Sequence, residues 1–394
     1  MESRRLLGRA LLAVGALALP SIPPARACDD AAPPPPASVS TPEKGAAATP
    51  PPSTPAEVLA ARRRVRALFF DTRGRGPTAA ERDALIGIPH EAAVDLLLAQ
   101  PEVWDAWLER ECYYYLLIDR FRPVSDRVRA LPAGLAAREA TVLDATREIV
   151  VSAEFNARNP GNDTFVTVVL EQLLGVVVQA EPAVLAAGKR MYDGYAARLY
   201  NEVGRSQSDI VRIVLSRRAF ADRFVERQYR AVFGKAASKE VVARDAARLH
   251  ADPACWPAVL REWLVSDEWR ARARIPRPKG DQVFLRTLFV DILGREPTFD
   301  EFRNSRNAFQ ALSDPAPIRN VLAGLLVDSP SARFPSKAEL ARPSDFVKGL
   351  FLDLLGREPT EREVDSFVAT LGEYGCEPKT LVLALVTSPE YQYY

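Results

Sequence analysis

The chain reads as an all-α protein built of tandem helical-hairpin repeats of about 60 residues, and three observations predict it. An eleven-residue string recurs almost verbatim, LFVDILGREPT at Leu288 to Thr298 and LFLDLLGREPT at Leu350 to Thr360, with a third version, LFFDTRGRGPT, at Leu68 to Thr78. A second signal, an apolar run ending in Ser followed by an acidic, aromatic or proline residue, places serines at 152, 216, 266, 329 and 388, which are 64, 50, 63 and 59 residues apart. Alternating Val, Ile and Thr between glycine-rich turns, the mark of strands, is nearly absent.

The 394 residues carry 47% hydrophobic and 26% charged side chains, as a globular protein does. A net charge of +1 excludes broad electrostatic capture of nucleic acid. Arginine outnumbers lysine 44 to 8, which we read as codon usage in a GC-rich genome.

Residues 1–27 read as an export signal, with Arg4, Arg5 and Arg9 before the apolar stretch Ala10 to Leu19 and Ala25-Arg26-Ala27 as a small-x-small cleavage site. That stretch is too short to span a bilayer. Cleavage would leave Cys28 first, the acceptor position of bacterial lipoproteins, although Ala25 stands where those signals usually place Leu. Lipid anchoring at Cys28 and simple secretion both remain open. Residues 28–59 form a spacer with nine prolines between Ala31 and Val58, a composition that extends rather than packs.

Two segments follow, residues 60–272 with degenerate repeats and residues 273–394 with a clear pair. In the last unit Phe346, Leu350, Phe351, Leu354 and Leu355 recur at helical spacing, and Gly356 is suited to a left-handed C-terminal residue. Thr360 with Glu363 is a capping box opening the next helix behind Pro359. Gly294, Pro297, Thr298 and Glu301 take the same roles in the preceding unit, and Gly76, Pro77, Thr78 and Glu81 in the first. Asp71 and Arg75, Asp291 and Arg295, and Asp353 and Arg357 stand four apart, which predicts three local ion pairs at helix ends. Further openers at Leu116 to Asp119, Val169 to Gly175 and Tyr229 to Gly234 bring the proposed units to six.

The last three units, with the Phe-Val, Leu-Gly-Arg-x-Pro and Ser-Pro-Glu-Tyr landmarks of Phe346 to Tyr391, resemble phycobilisome-linker-like helical repeats of secreted bacterial surface proteins. The first unit resembles an uncharacterised helical domain of exported planctomycete and myxobacterial proteins that is often joined to cytochrome c modules. Neither resemblance supplies catalytic residues, and without a CxxCH motif no haem role follows.

Only His90 and His250 are present, and neither a nucleophile elbow nor an HExxH motif accompanies them. His90 reads as a loop or cap residue and His250 as a helix-end cation. Cys112, Cys255 and Cys376 lack metal-ligand spacing, so at most one disulfide is expected. Trp104, Trp107, Trp263 and Trp269 fall at unit closers and read as packing residues. Asn159, Asn162 and Asp163 read as a turn.

The sequence therefore predicts an exported protein of the periplasm or cell surface, without cofactor or metal. It would act as a non-catalytic interaction or scaffolding module for envelope or extracellular proteins, touching the membrane only through an N-terminal lipid. Two alternatives stay open: a polysaccharide-binding matrix protein, and an enzyme whose carboxylates meet only in the fold.

Overall fold

A computed structural model describes residues 54–117, 125–311 and 314–394. Cys28, the export signal and nearly all of the spacer lie outside the described residues. Where the spacer was expected to reach residue 59, helix α1 already begins at Pro55, with Thr54 and Glu57 forming its capping box.

The described residues are all-α, with twenty α-helices and one small two-stranded hairpin. In chain order these are α1 (Pro55–Arg73), α2 (Ala79–Ile86), α3 (His90–Leu98), α4 (Pro101–Leu116), α5 (Asp126–Ala137), α6 (Val142–Val150) and α7 (Ala153–Arg158). Then come α8 (Gly161–Leu174), α9 (Pro182–Tyr192), the hairpin β1 (Ala197–Leu199) and β2 (Glu202–Gly204), α10 (Gln207–Leu215), α11 (Arg218–Phe233), α12 (Lys239–Ala251), α13 (Trp256–Val265) and α14 (Asp267–Arg272). The chain continues with α15 (Asp281–Leu293), α16 (Phe299–Gln310), α17 (Ala316–Val327), α18 (Pro343–Leu350), α19 (Glu361–Gly372) and α20 (Pro378–Val386). Helix α18 runs on as a π turn, Phe351–Leu355, whose widened winding closes with the Gly356 N–H donating to the Phe351 carbonyl.

Left-handed residues end α1, α4, α8, α11, α15 and the α18 turn, at Gly74, Leu117, Gly175, Gly234, Gly294 and Gly356. In the first copy of the motif the left-handed residue is Gly74, with φ of 65°, and not Gly76. All three capping boxes form: Thr78 with Glu81, Thr298 with Glu301, and Thr360 with Glu363.

The three predicted Asp–Arg pairs do not form. Each Asp lies in the last turn of its helix and each Arg lies beyond the left-handed glycine, so the i,i+4 adjacency of a continuous helix is lost between them. Each arginine instead bonds the Glu of the capping box that follows it: Arg75 to Glu81, Arg295 to Glu301 and Arg357 to Glu363, all at 2.7–2.9 Å. The turn is thus a four-part unit of glycine, arginine, threonine and glutamate.

Two hydrophobic cores result, one from residues between Val65 and Trp269 and another from residues between Phe284 and Tyr391. Helices meet through their apolar faces: α6 packs on α10, α3 on α13, and α17 on α20. Because α3 meets α13, the first body closes on itself, whereas an open stack would leave each unit touching only its neighbours. The closure is sealed by Asp71 of α1, whose Oδ2 accepts from Trp269 Nε1 at 2.8 Å. The second body repeats the device, with Asp291 of α15 accepting from the Tyr391 hydroxyl at 2.7 Å. Lys279 lies buried against Tyr391, its Nζ bonding the Tyr391 carbonyl and standing 3.5 Å from the ring centroid. Two mutual backbone bonds of 2.9 Å between Arg277 and Tyr394 draw the final residues alongside the connector between the bodies.

Cys112, Cys255 and Cys376 are free thiols. The tryptophans of the closers are buried, Trp104 and Trp269 to within 1%. Phe165 lies in helix α8 as its Leu, Glu and Gln neighbours require, whereas hairpin β1–β2 lacked a sequence signal, its turn being made by Tyr200 at φ of 50° rather than by glycine.

Gly294→Ala, where an added Cβ meets nothing within 4 Å, isolates the backbone penalty of the left-handed conformation and should cost about 1 kcal/mol, with Gly294→Val nearer 2. Denaturant unfolding at the wild-type midpoint would contradict the assignment. Tyr391→Phe removes the hydroxyl bonded to the buried Asp291 and should cost about 1–3 kcal/mol in the same measurement.

Burial pushes Glu81 up, but the Arg75 hydrogen bonds and charge outweigh it and hold the carboxyl at about 2, and Arg295 and Arg357 bring Glu301 and Glu363 to about 2 as well. A carboxylate depressed in the folded state contributes stability that is complete above its ordinary value of 4.5 and is lost as pH falls toward about 2. Replacing the three glutamates by Gln should lower the melting temperature at neutral pH and flatten its fall across that window. An unchanged acid slope would contradict the pairing.

Candidate anion-binding cleft

Helix α1 buries Ala61, Val65, Leu68, Phe69 and Thr72 along one stripe. The same 3.6-residue periodicity carries Ala60, Arg63, Arg64 and Ala67 to a neighbouring stripe. That stripe forms one wall of a cleft of about 890 Å³ between the two bodies. Pro89, His90 and Glu91 at the start of α3 form a second wall, followed by Trp269, Arg270 and the segment from Ala273 to Arg277. The second body completes it with Leu355, Gly356, Arg357, Glu390, Tyr393 and Tyr394.

Seven arginines line this recess, at 63, 64, 66, 270, 274, 277 and 357, against two carboxylates, Glu91 and Glu390, so the lining carries seven minus two, or five, positive charges. Four of the seven have acidic partners. Arg270 pairs with Glu91, Arg277 with Asp71 at 2.7 Å, Arg357 with Glu363 and Glu390, and Arg66 stands 3.8 Å from Asp291. Among the described residues, Arg63 and Arg64 bond only backbone carbonyls, those of Gly356 at 2.8 Å and Ile88 at 3.2 Å. Arg274 is exposed and, among the described residues, makes no side-chain hydrogen bond or ion pair. Burial pushes Arg64 below the ordinary guanidinium range, with Glu91 opposing and Arg270 reinforcing the shift.

His90 is the first residue of α3 and is buried rather than sitting in a loop. Its Nε2 lies 2.8 Å from the Leu264 carbonyl, which assigns the proton to that nitrogen, and its ring stacks on Trp269 with centroids 5.1 Å apart. Desolvation pushes it below the usual imidazole range, so it is neutral at neutral pH. His250 lies in the last turn of α12.

Of the repeat-turn residues singled out in the sequence, Gly356 and Arg357 line the cleft, and His90, Trp269 and Leu355, singled out on other grounds, line it too. Asp71 stands behind it, holding Arg277. Asp291 is enclosed in the second body. Asp353 lies on the seam between the bodies, where it takes Arg62 at 2.8 Å and also Arg82. Arg75 reaches across the seam to Glu296 at 2.8 Å, and Gly294 and Arg295 lie away from the recess. Arg63, Arg64 and Arg274 were missed, because the excess of arginine over lysine was read as a whole as codon usage and no run of arginines was singled out. Placing those arginines on the stripe beside the α1 core positions would have found the first two.

Among the described residues no group of three or more His, Cys, Asp or Glu could hold a metal ion, and no helix is long and apolar enough to cross a membrane. Compared with known families, curated proteins and solved structures, the chain matches no family model, no curated protein and no solved structure.

Proposed function

We propose that the protein is an exported cell-envelope module that binds a partner rather than transforming one. The observation that carries this reading is the cleft: a recess between two helical bodies whose lining holds an excess of guanidinium groups, in a chain of net charge +1. Recesses at junctions between packed bodies are where ligands preferentially seat. A cell-envelope address is supported by the order of the sequence, an export signal, then Cys28, then the acidic pair Asp29-Asp30, then prolines and the folded helices. An acyl chain at Cys28 would hold the helices off a membrane on a semi-rigid spacer.

Fractionation of cells tests the address. The mature protein should partition with membranes and show a lipid-modified Cys28 by mass spectrometry, and Cys28→Ser should release it or block its processing. A soluble mature protein beginning with unmodified Cys28 would remove the anchor and keep the export. Residues 1–27 still attached in the cell would remove both.

A further inference from the structure

We propose that the cleft binds an organic polyanion, a molecule bearing two or more carboxylate or phosphate groups on a framework about the size of a few sugar rings, and that Arg63, Arg64 and Arg274 receive its charges. This rests on the binding-module reading above and names the ligand class of that site.

Charge balance is the first argument. Four of the seven guanidiniums in the recess have carboxylate partners and, among the described residues, three do not, so the recess carries uncompensated positive charge on a chain of net charge +1. Holding like charges together costs free energy that an incoming anion recovers. Donor capacity is the second. Arg64 lines the recess yet its Nε is buried with no hydrogen-bond partner, and Arg63 uses one donor on the Gly356 carbonyl. A planar guanidinium fork matches the oxygen pair of a carboxylate or phosphate. Three such forks call for more than one anionic group.

Size and surface set the framework. About 890 Å³ lies within the range of small-molecule sites, roughly 300–1,000 Å³, and is too confined for a duplex or a folded domain. Tyr393, half exposed at 51%, and Ile275, at 62%, offer apolar contact beside the charges, which suits a carbon framework better than a bare inorganic ion. Residues of both bodies line the recess, so a bound ligand bridges them.

Titration calorimetry of the whole mature protein at low salt tests this with four probes: citrate, inositol hexakisphosphate, neutral maltotriose and phosphatidylglycerol vesicles. Citrate or the hexakisphosphate should bind, with affinity falling as salt rises. Arg274→Ala, which breaks no side-chain hydrogen bond or ion pair among the described residues, should weaken that binding several-fold, and Arg63→Ala with Arg274→Ala at least about tenfold. Arg303→Ala, an exposed residue paired with Asp300 on α16, should leave it unchanged. Vesicle binding that falls with the same two variants, with no binding of the soluble anions, would place the anion on a lipid headgroup and support the same chemistry. Failure of both soluble anions and vesicles to bind, or binding indifferent to Arg63 and Arg274, would overturn the proposal. Maltotriose binding alone, sensitive to Arg274→Ala, would overturn the polyanion and leave the binding-module reading standing.

Discussion

Each of the two bodies depends on one carboxylate finding its donor. Asp71 and Asp291 sit at the same motif position, in the last turn of the first long helix of their body, and both side chains are nearly enclosed. A buried carboxylate without partners is costly, so its environment must supply donors or the helix cannot pack there. The aromatic residue that closes each body supplies one, Trp269 through its indole N–H and Tyr391 through its hydroxyl. Since donor and acceptor lie 198 and 100 residues apart, meeting that requirement fixes the closure of the whole body rather than a local turn. A nearby guanidinium then completes each arrangement, Arg277 beside Asp71 and Arg66 near Asp291.

The seam between the bodies is polar for a related reason. Helix ends leave carbonyl groups without intrahelical partners, and the π turn after α18 exposes those of Asp353, Leu354 and Gly356. Arginines of α1 satisfy all three: Arg66 donates to Asp353 and Leu354 and Arg63 to Gly356. Further ionic links, Arg286 to Glu109 and Arg75 to Glu296, extend the seam. Long guanidinium side chains hold the bodies together without closing the space between them. The cleft is the part of the seam where α1 supplies more cations than the second body supplies acceptors.

Much of the fold was legible because its signals are local. A left-handed glycine, a proline and a Thr-x-x-Glu box are short-range requirements, and the motif states them at Gly294 to Glu301 and Gly356 to Glu363. The all-α class follows from such signals. The pairings were not legible, because a four-residue spacing suggests a helical ion pair only if the helix continues, and Gly74, Gly294 and Gly356 end it. Nor could the sequence show that Asp71 reaches Trp269, since closure of a body is a long-range event. Hairpin β1–β2 escaped because its turn is built on Tyr200 and Asn201. For the candidate site, Arg357 was in view for its motif, whereas Arg274 lies in a connector whose neighbours are set only by the packing of both bodies.

Helix α1 also bears on how the protein carries load. Any pull delivered through the residues before Thr54 enters the fold at the N-terminus of α1, the helix whose side chains are tied both to Trp269 in the first body and to Asp353 and Gly356 in the second. Tension therefore spreads at once over the core contacts of one body and a row of guanidinium links to the other. Peeling the chain away one helix at a time is replaced by shearing a whole helix from two supports.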